Sequence, residues 1–176
     1  HNMNFVINRA RGGKSLNWDK LFTMQYELDE YIKKNHQLEN QSFFEEKFLA
    51  LLVELGELAN ETRCFKYWST KKSSDKEIVL EEYVDNIHFI LSLGIEKEFQ
   101  FSSITVEPID QNKTKQFNTV FLRAVQFYQE QSEENYIKMV ESYLQLANLL
   151  GFTENDIFNA YIEKNEVNYE RQKSGY

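Results

Sequence analysis

The sequence predicts an all-α protein, a helical bundle with a core of about four to six helices. A single proline and six glycines in 176 residues leave long stretches with nothing to break a helix. Along those stretches apolar residues recur at helical spacing, as in Leu21, Met24 and Leu28, or in Phe48, Leu51, Leu55 and Leu58. Aromatic residues make up 15% of the chain, enough for a dense core that needs no disulfide staples.

The elements follow in order. His1-Asn2 reads as a remnant ahead of Met3, and residues 1–16 as a flexible N-terminal arm carrying Arg9, Arg11 and Lys14 with little periodicity. Its Gly12-Gly13-Lys14-Ser15 string lacks the GxxxxGK[ST] spacing and the preceding strand of a phosphate loop. Residues 17–176 are expected to form one domain. Asn17 caps a first helix, with Leu21, Met24, Leu28 and Tyr31 or Ile32 on its inner stripe. Gln25 lies beside that stripe, presenting its amide either inward or, as is commoner, to solvent. After a polar break at His36 to Gln41, Ser42 is the expected cap of a second helix from Phe43 to about Arg63. Phe65-Lys66-Tyr67-Trp68 and the polar run Ser69 to Lys76 then separate it from a third helix, predicted from a cap at Asp75 to Leu93 and ended by Gly94.

Residues 95 to 112 are one long connection holding Pro108, in which Ser102 to Glu107 has the composition of a short strand. Two helices are expected next, Lys113 to Gln131 and Glu133 to Leu150. Gly151 stops the second, and Thr153 with Asp156 opens a last helix in a capping-box arrangement. No internal repeat stands out.

Charge and cysteine content narrow the function classes. A net charge of -8 argues against a binder of nucleic-acid polymers, whose phosphates are held by clustered Lys and Arg. A small phosphate-bearing substrate is still compatible, because bound cations invert the local field. The lone Cys64 excludes an intramolecular disulfide framework, and no CxxC or His/Cys cluster suggests zinc. Apolar runs of only a few residues predict no membrane span, and no signal peptide is visible, so a cytoplasmic setting is expected.

The chemistry concentrates in two acidic pairs, Glu54-Leu55-Gly56-Glu57 and Glu82-Tyr83-Val84-Asp85. Spacing i, i+3 puts both acids of a pair on one helix face. Surface helices acquire such pairs by chance, but here both are embedded in apolar stripes of one short chain. Like-charged carboxylates away from water need a proton or a cation, and an oxygen-only donor set suits magnesium. Glu61 is read as either a fifth ligand or a solvated acid. His88, one turn after Asp85, reads as a satisfied core histidine rather than a ligand. Trp68 suits a lid that stacks on a flat ligand or, equally, a plug at the end of the bundle. In the last helix Tyr161, Lys164, Asn168 and Arg171 share a face, with Asn165 and Gln172 beside it: either a solvated surface or a row of phosphate and hydroxyl donors.

Three stretches together resemble a known family: Glu54 to Trp68 (ELGELANETRCFKYW), Leu80 to Phe89 (LEEYVDNIHF), and Lys164 to Gln172 (KNEVNYERQ), with Gln25 in the first helix. They are similar to the dimeric all-α dUTPases, relatives of the MazG-type nucleotide pyrophosphohydrolases. The resemblance implies a MazG-like bundle, a homodimer, and Mg²⁺-dependent hydrolysis of dUTP, and of dUDP, to dUMP with release of pyrophosphate or phosphate. It implies on the order of two or three Mg²⁺ ions, with Mn²⁺ as a substitute, held by Glu54, Glu57, Glu82 and Asp85. Glu54 would take the proton of the attacking water. Trp68 would stack on uracil and Gln25 read its edge, while Lys164, Asn168 and Arg171 would grip phosphates and sugar, with Lys66 and His88 as further contributors. The family can carry an amide four residues after this glutamine, where this chain has Asp29. The rival readings are a house-cleaning pyrophosphohydrolase for other or modified dNTPs such as dCTP, and a non-catalytic helical protein whose acidic face binds a partner.

Overall fold

In this computed structural model residues 16–176 are described, and the expected arm falls outside them apart from Leu16. Among the described residues there are six helices and no strand: α1 (Trp18–Asn35), α2 (Phe44–Thr62), α3 (Lys76–Glu96), α4 (Lys113–Gln129), α5 (Glu133–Leu150) and α6 (Glu154–Lys173). The all-α expectation holds. None of these six helices is long and apolar enough to cross a membrane.

The bundle is built around α3, which packs against α1, α2, α5 and α6. Its burial on nearly every side follows from composition, since Val79, Tyr83, Val84, Ile87, Ile90, Leu91 and Leu93 leave no wholly polar face. One buried cluster draws side chains from all six helices. Tyr83 and Tyr143 lock α3 to α5: their rings stack at 4.3 Å, and each hydroxyl donates to the other's backbone carbonyl, at 2.8 and 2.5 Å. Each phenol thereby buries its ring and satisfies its polar tip.

Helix ends show where local signals held. The Asn17 side chain accepts from the Lys20 N–H at 3.1 Å, Thr153 and Asp156 form the full capping box, and Gly151 ends α5 in the left-handed region at φ 79°. The expected Ser42 cap did not form. Phe43 occupies the N-cap position of α2 without a side-chain bond, and the Ser42 hydroxyl donates to Glu96 Oε2 at 2.9 Å, joining the start of α2 to the end of α3.

Gly94 does not end α3, which runs on to Glu96. Glycine is needed there for space: a Cβ would sit 2.6 Å from the Phe99 carbonyl oxygen and 2.7 Å from Tyr136 Cζ, with the Tyr136 hydroxyl closer still. The Ser102 to Glu107 stretch is not a strand among the described residues; Phe101, Ile104 and Val106 anchor it as an irregular segment on the core. Replacing Gly94 with Ala forces backbone and ring apart. It should cost about 1–3 kcal/mol, read as a lower urea midpoint with an unchanged slope.

Candidate functional site

Because α2 and α3 lie side by side, their acidic pairs meet. Carboxylate oxygens of Glu54, Glu82 and Asp85 lie within 4.8 Å of one another. Glu57 stays solvent-exposed at the rim, outside that trio, although its charge and hydrogen bond act on Glu54. Glu54 Oε2 and Glu82 Oε2 are buried with no hydrogen-bond partner. Burial first, then the charges of Asp85 and Glu57, pushes the Glu54 carboxyl up to about 8. Burial and neighbouring acids also raise Glu82 and Asp85.

The direct counter-charge is Lys164 Nζ, 3.0 Å from Glu81 Oε1 and 3.2 Å from Asp85 Oδ1. One buried ammonium set against this cluster leaves an excess of negative charge. Orphaned oxygens and an all-carboxylate donor set together fit a hard divalent cation. Glu61 serves the loop instead of the trio: its carboxylate accepts from the Ser74 hydroxyl and its backbone carbonyl from the Ser74 N–H at 3.0 Å.

Glu54 and Asp85 also line a cavity of about 420 Å³ whose wall includes Gln25, Asp29, His88, Ser92, Lys164, Asn168 and Arg171. One side is a connected polar set between α1, α3 and α6. Gln25 Oε1 lies 2.6 Å from His88 Nδ1 and accepts from the Tyr161 hydroxyl at 2.9 Å. Gln25 Nε2 donates to Asp29 Oδ1 at 2.8 Å, and the Ser92 hydroxyl donates to Asp29 Oδ2 at 2.7 Å. The His88 ring stacks on Tyr161 at 4.2 Å. Burial, then the nearby Lys164 charge, lowers His88 to about 3, so the imidazole is neutral at pH 7. Burial raises Asp29, opposed chiefly by the Lys47 ammonium 3.8 Å away.

The expected residues divide into three groups. Gln25, Glu54, Asp85, His88, Lys164, Asn168 and Arg171 share the cavity, Glu82 completes the acid trio, and Glu57 sits at its rim. Lys66 and Trp68 are on neither. Trp68 is 65% exposed, edge-on to Tyr67 at 5.1 Å, so it does not plug the bundle. The loop that carries it is tied down by Arg63, the left-handed C-cap of α2, whose guanidinium donates to the Lys71 carbonyl at 3.3 Å and to Ser69 Oγ at 3.1 Å. His88 is satisfied on one side only: Nδ1 is bonded, while Nε2 is buried without a hydrogen-bond partner. Sequence reasoning missed the supporting residues Lys47, Glu81 and Ser92. Asp29 did carry a signal, its i+4 position after Gln25.

A family model described as dUTPase matches residues 17–176. No curated protein matches the chain.

Proposed function

The chain belongs to the dUTPase family and is a nucleoside triphosphate pyrophosphohydrolase of the dUTP diphosphatase type, and on that premise we propose a Mg²⁺-dependent enzyme that cleaves dUTP to dUMP and pyrophosphate. The supporting observation is the trio of carboxylates within 4.8 Å, two of them carrying orphaned oxygens, at a cavity whose wall also holds an amide, an imidazole and cations.

In this proposal Glu54, Glu57, Glu82 and Asp85 hold the metal. When bound, magnesium neutralises the triphosphate and makes the attacking water more acidic. Glu54, whose Oε2 has no hydrogen-bond partner in the protein, takes that water's proton. Lys164, already held at Asp85, Asn168 and Arg171 line the cavity as donors to phosphate and sugar oxygens. Gln25 and His88 face the base. The exposed Trp68 ring and Lys66 belong to the proposal as groups the loop would bring over the nucleotide, the ring to stack on uracil and the cation to meet phosphate.

The same proposal takes residues 17–176 as one domain, Mn²⁺ as a substitute metal, dUDP as a second substrate, and a homodimer in the cytoplasm. For the dimer, Leu49 and Val53 on α2 with Leu122 and Val125 on α4 supply exposed apolar surface. Pyrophosphate release from dUTP, dCTP, dTTP and UTP in Mg²⁺ tests the activity. Fastest release is expected from dUTP; none from any nucleotide removes the proposal, and dCTP as the best substrate moves the chain to the house-cleaning alternative.

A further inference from the structure

With Asp29 ionised against the Lys47 ammonium 3.8 Å away, the polar wall of the cavity admits one consistent assignment of donors and acceptors. Asp29 as a carboxylate can only accept, so the Gln25 NH₂ group must face it and Gln25 Oε1 must face His88 and Tyr161. A carbonyl oxygen opposite His88 Nδ1 requires that nitrogen to carry the proton. The neutral ring then leaves Nε2 as a bare acceptor, and Nε2 is the atom buried without a hydrogen-bond partner on a residue that lines the cavity. His88 is 5% exposed, so this acceptor has little access to water.

We propose that Asp29 is a positioning residue for base selection: it orients the Gln25 amide, which fixes His88 as the Nδ1–H tautomer and so presents the site with an acceptor for a base carrying a ring N–H. This rests on the reading that the cavity takes the base of a nucleotide. Uracil has an N3–H between two carbonyls, so it meets His88 Nε2 with its donor and the second Gln25 Nε2 hydrogen with either oxygen. Cytosine has a lone pair at N3. Two acceptors would face each other away from water unless the ring shifted to offer its amino group, a mismatch that a hydrogen-bonding site rejects strongly.

Asp29→Asn tests the relay with almost no change in shape. Lys47 Nζ lies 3.8 Å from the Asp29 oxygen that Ser92 also contacts, so an asparagine keeps its carbonyl there and turns its NH₂ toward Gln25. Gln25 then flips, and His88 shifts toward the Nε2–H tautomer. The ¹⁵N resonances of the His88 ring should report Nδ1–H in the wild type and a shift toward Nε2–H in the variant. The ratio of kcat/KM for dUTP over dCTP should fall by about tenfold or more, mainly through a higher KM for dUTP.

A wild-type ring protonated at Nε2 overturns the proposal. So does a variant with unchanged tautomer, or one that slows both nucleotides equally, which would mark Asp29 as merely structural. If Asp29→Asn does not fold, the wild-type spectrum decides by itself. If no nucleotide is hydrolysed, the functional reading fails, while the tautomer shift still decides whether Asp29 controls the acceptor.

Discussion

Glu82→Gln is expected to lower dUTP turnover on the order of a thousandfold or more while leaving the helical content of the protein unchanged. The substitution keeps the side chain's size and removes its charge, so α3 keeps its packing. What it removes is one of the oxygens that share a 4.8 Å cluster, and Glu82 Oε2 has no hydrogen-bond partner in the protein. An amide at this position binds a divalent cation poorly, and the triphosphate loses the charge compensation that cation provides. Steady-state pyrophosphate release and far-ultraviolet circular dichroism check the two halves of the expectation. Full activity in Glu82→Gln would reject the metal assignment and favour an acidic face with another purpose.

The second large effect couples pH, metal and stability. A carboxyl whose proton affinity is higher in the folded state keeps its proton there at pH values where the unfolded chain has lost it. Stability then falls as pH rises between the two values. For Glu54 that window runs from its ordinary 4.5 to about 8, with Glu82 and Asp85 acting in the same direction. His88 acts oppositely: held near 3 when folded against 6.5 ordinarily, it costs stability as pH falls below 6.5. The informative quantity is therefore a difference. The melting temperature of metal-free wild type should drop relative to Glu54→Gln as pH rises from 5 to 8.

Mg²⁺ at about a hundred times its dissociation constant should raise the wild-type melting temperature by about 5–10 °C. The rise should be larger at pH 8 than at pH 5, where protons compete for the same oxygens, and should shrink in Glu54→Gln. A melting temperature indifferent to Mg²⁺ at pH 8, or a wild type that tracks Glu54→Gln across the window, would show that the acids are not a metal site.

Much of the fold was legible because its signals are local. Asn17, Gly151 and the Thr153–Asp156 box act within a turn or two of chain, and each does in the structure what its neighbours predict. Ser42 and Gly94 misled because their roles depend on distant partners. A carboxylate on α3 draws the Ser42 hydroxyl away from capping, and a tyrosine on α5 accounts for the glycine inside α3. The pattern at Ser102 to Glu107 matched strand propensity, but among the described residues Ile104 and Val106 turn to the core in an irregular segment instead. From its stripe Lys164 read as either a solvated residue or a phosphate donor, whereas the structure engages it with Glu81 and Asp85.

By itself the sequence determined the helices, the caps at Asn17, Gly151 and Thr153, and the pairing of Glu54 with Glu57 and of Glu82 with Asp85, because these depend on a turn or two of chain and on about 100° of rotation per residue. Only the tertiary structure decided which acids converge, that Glu57 stays at the rim, that Trp68 faces solvent, and that Asp29 orients Gln25 toward His88. Those outcomes follow from how helices far apart in the chain pack side by side, and burial at such contacts sets which charges are raised, which oxygens lose their partners and which ring nitrogen carries a proton.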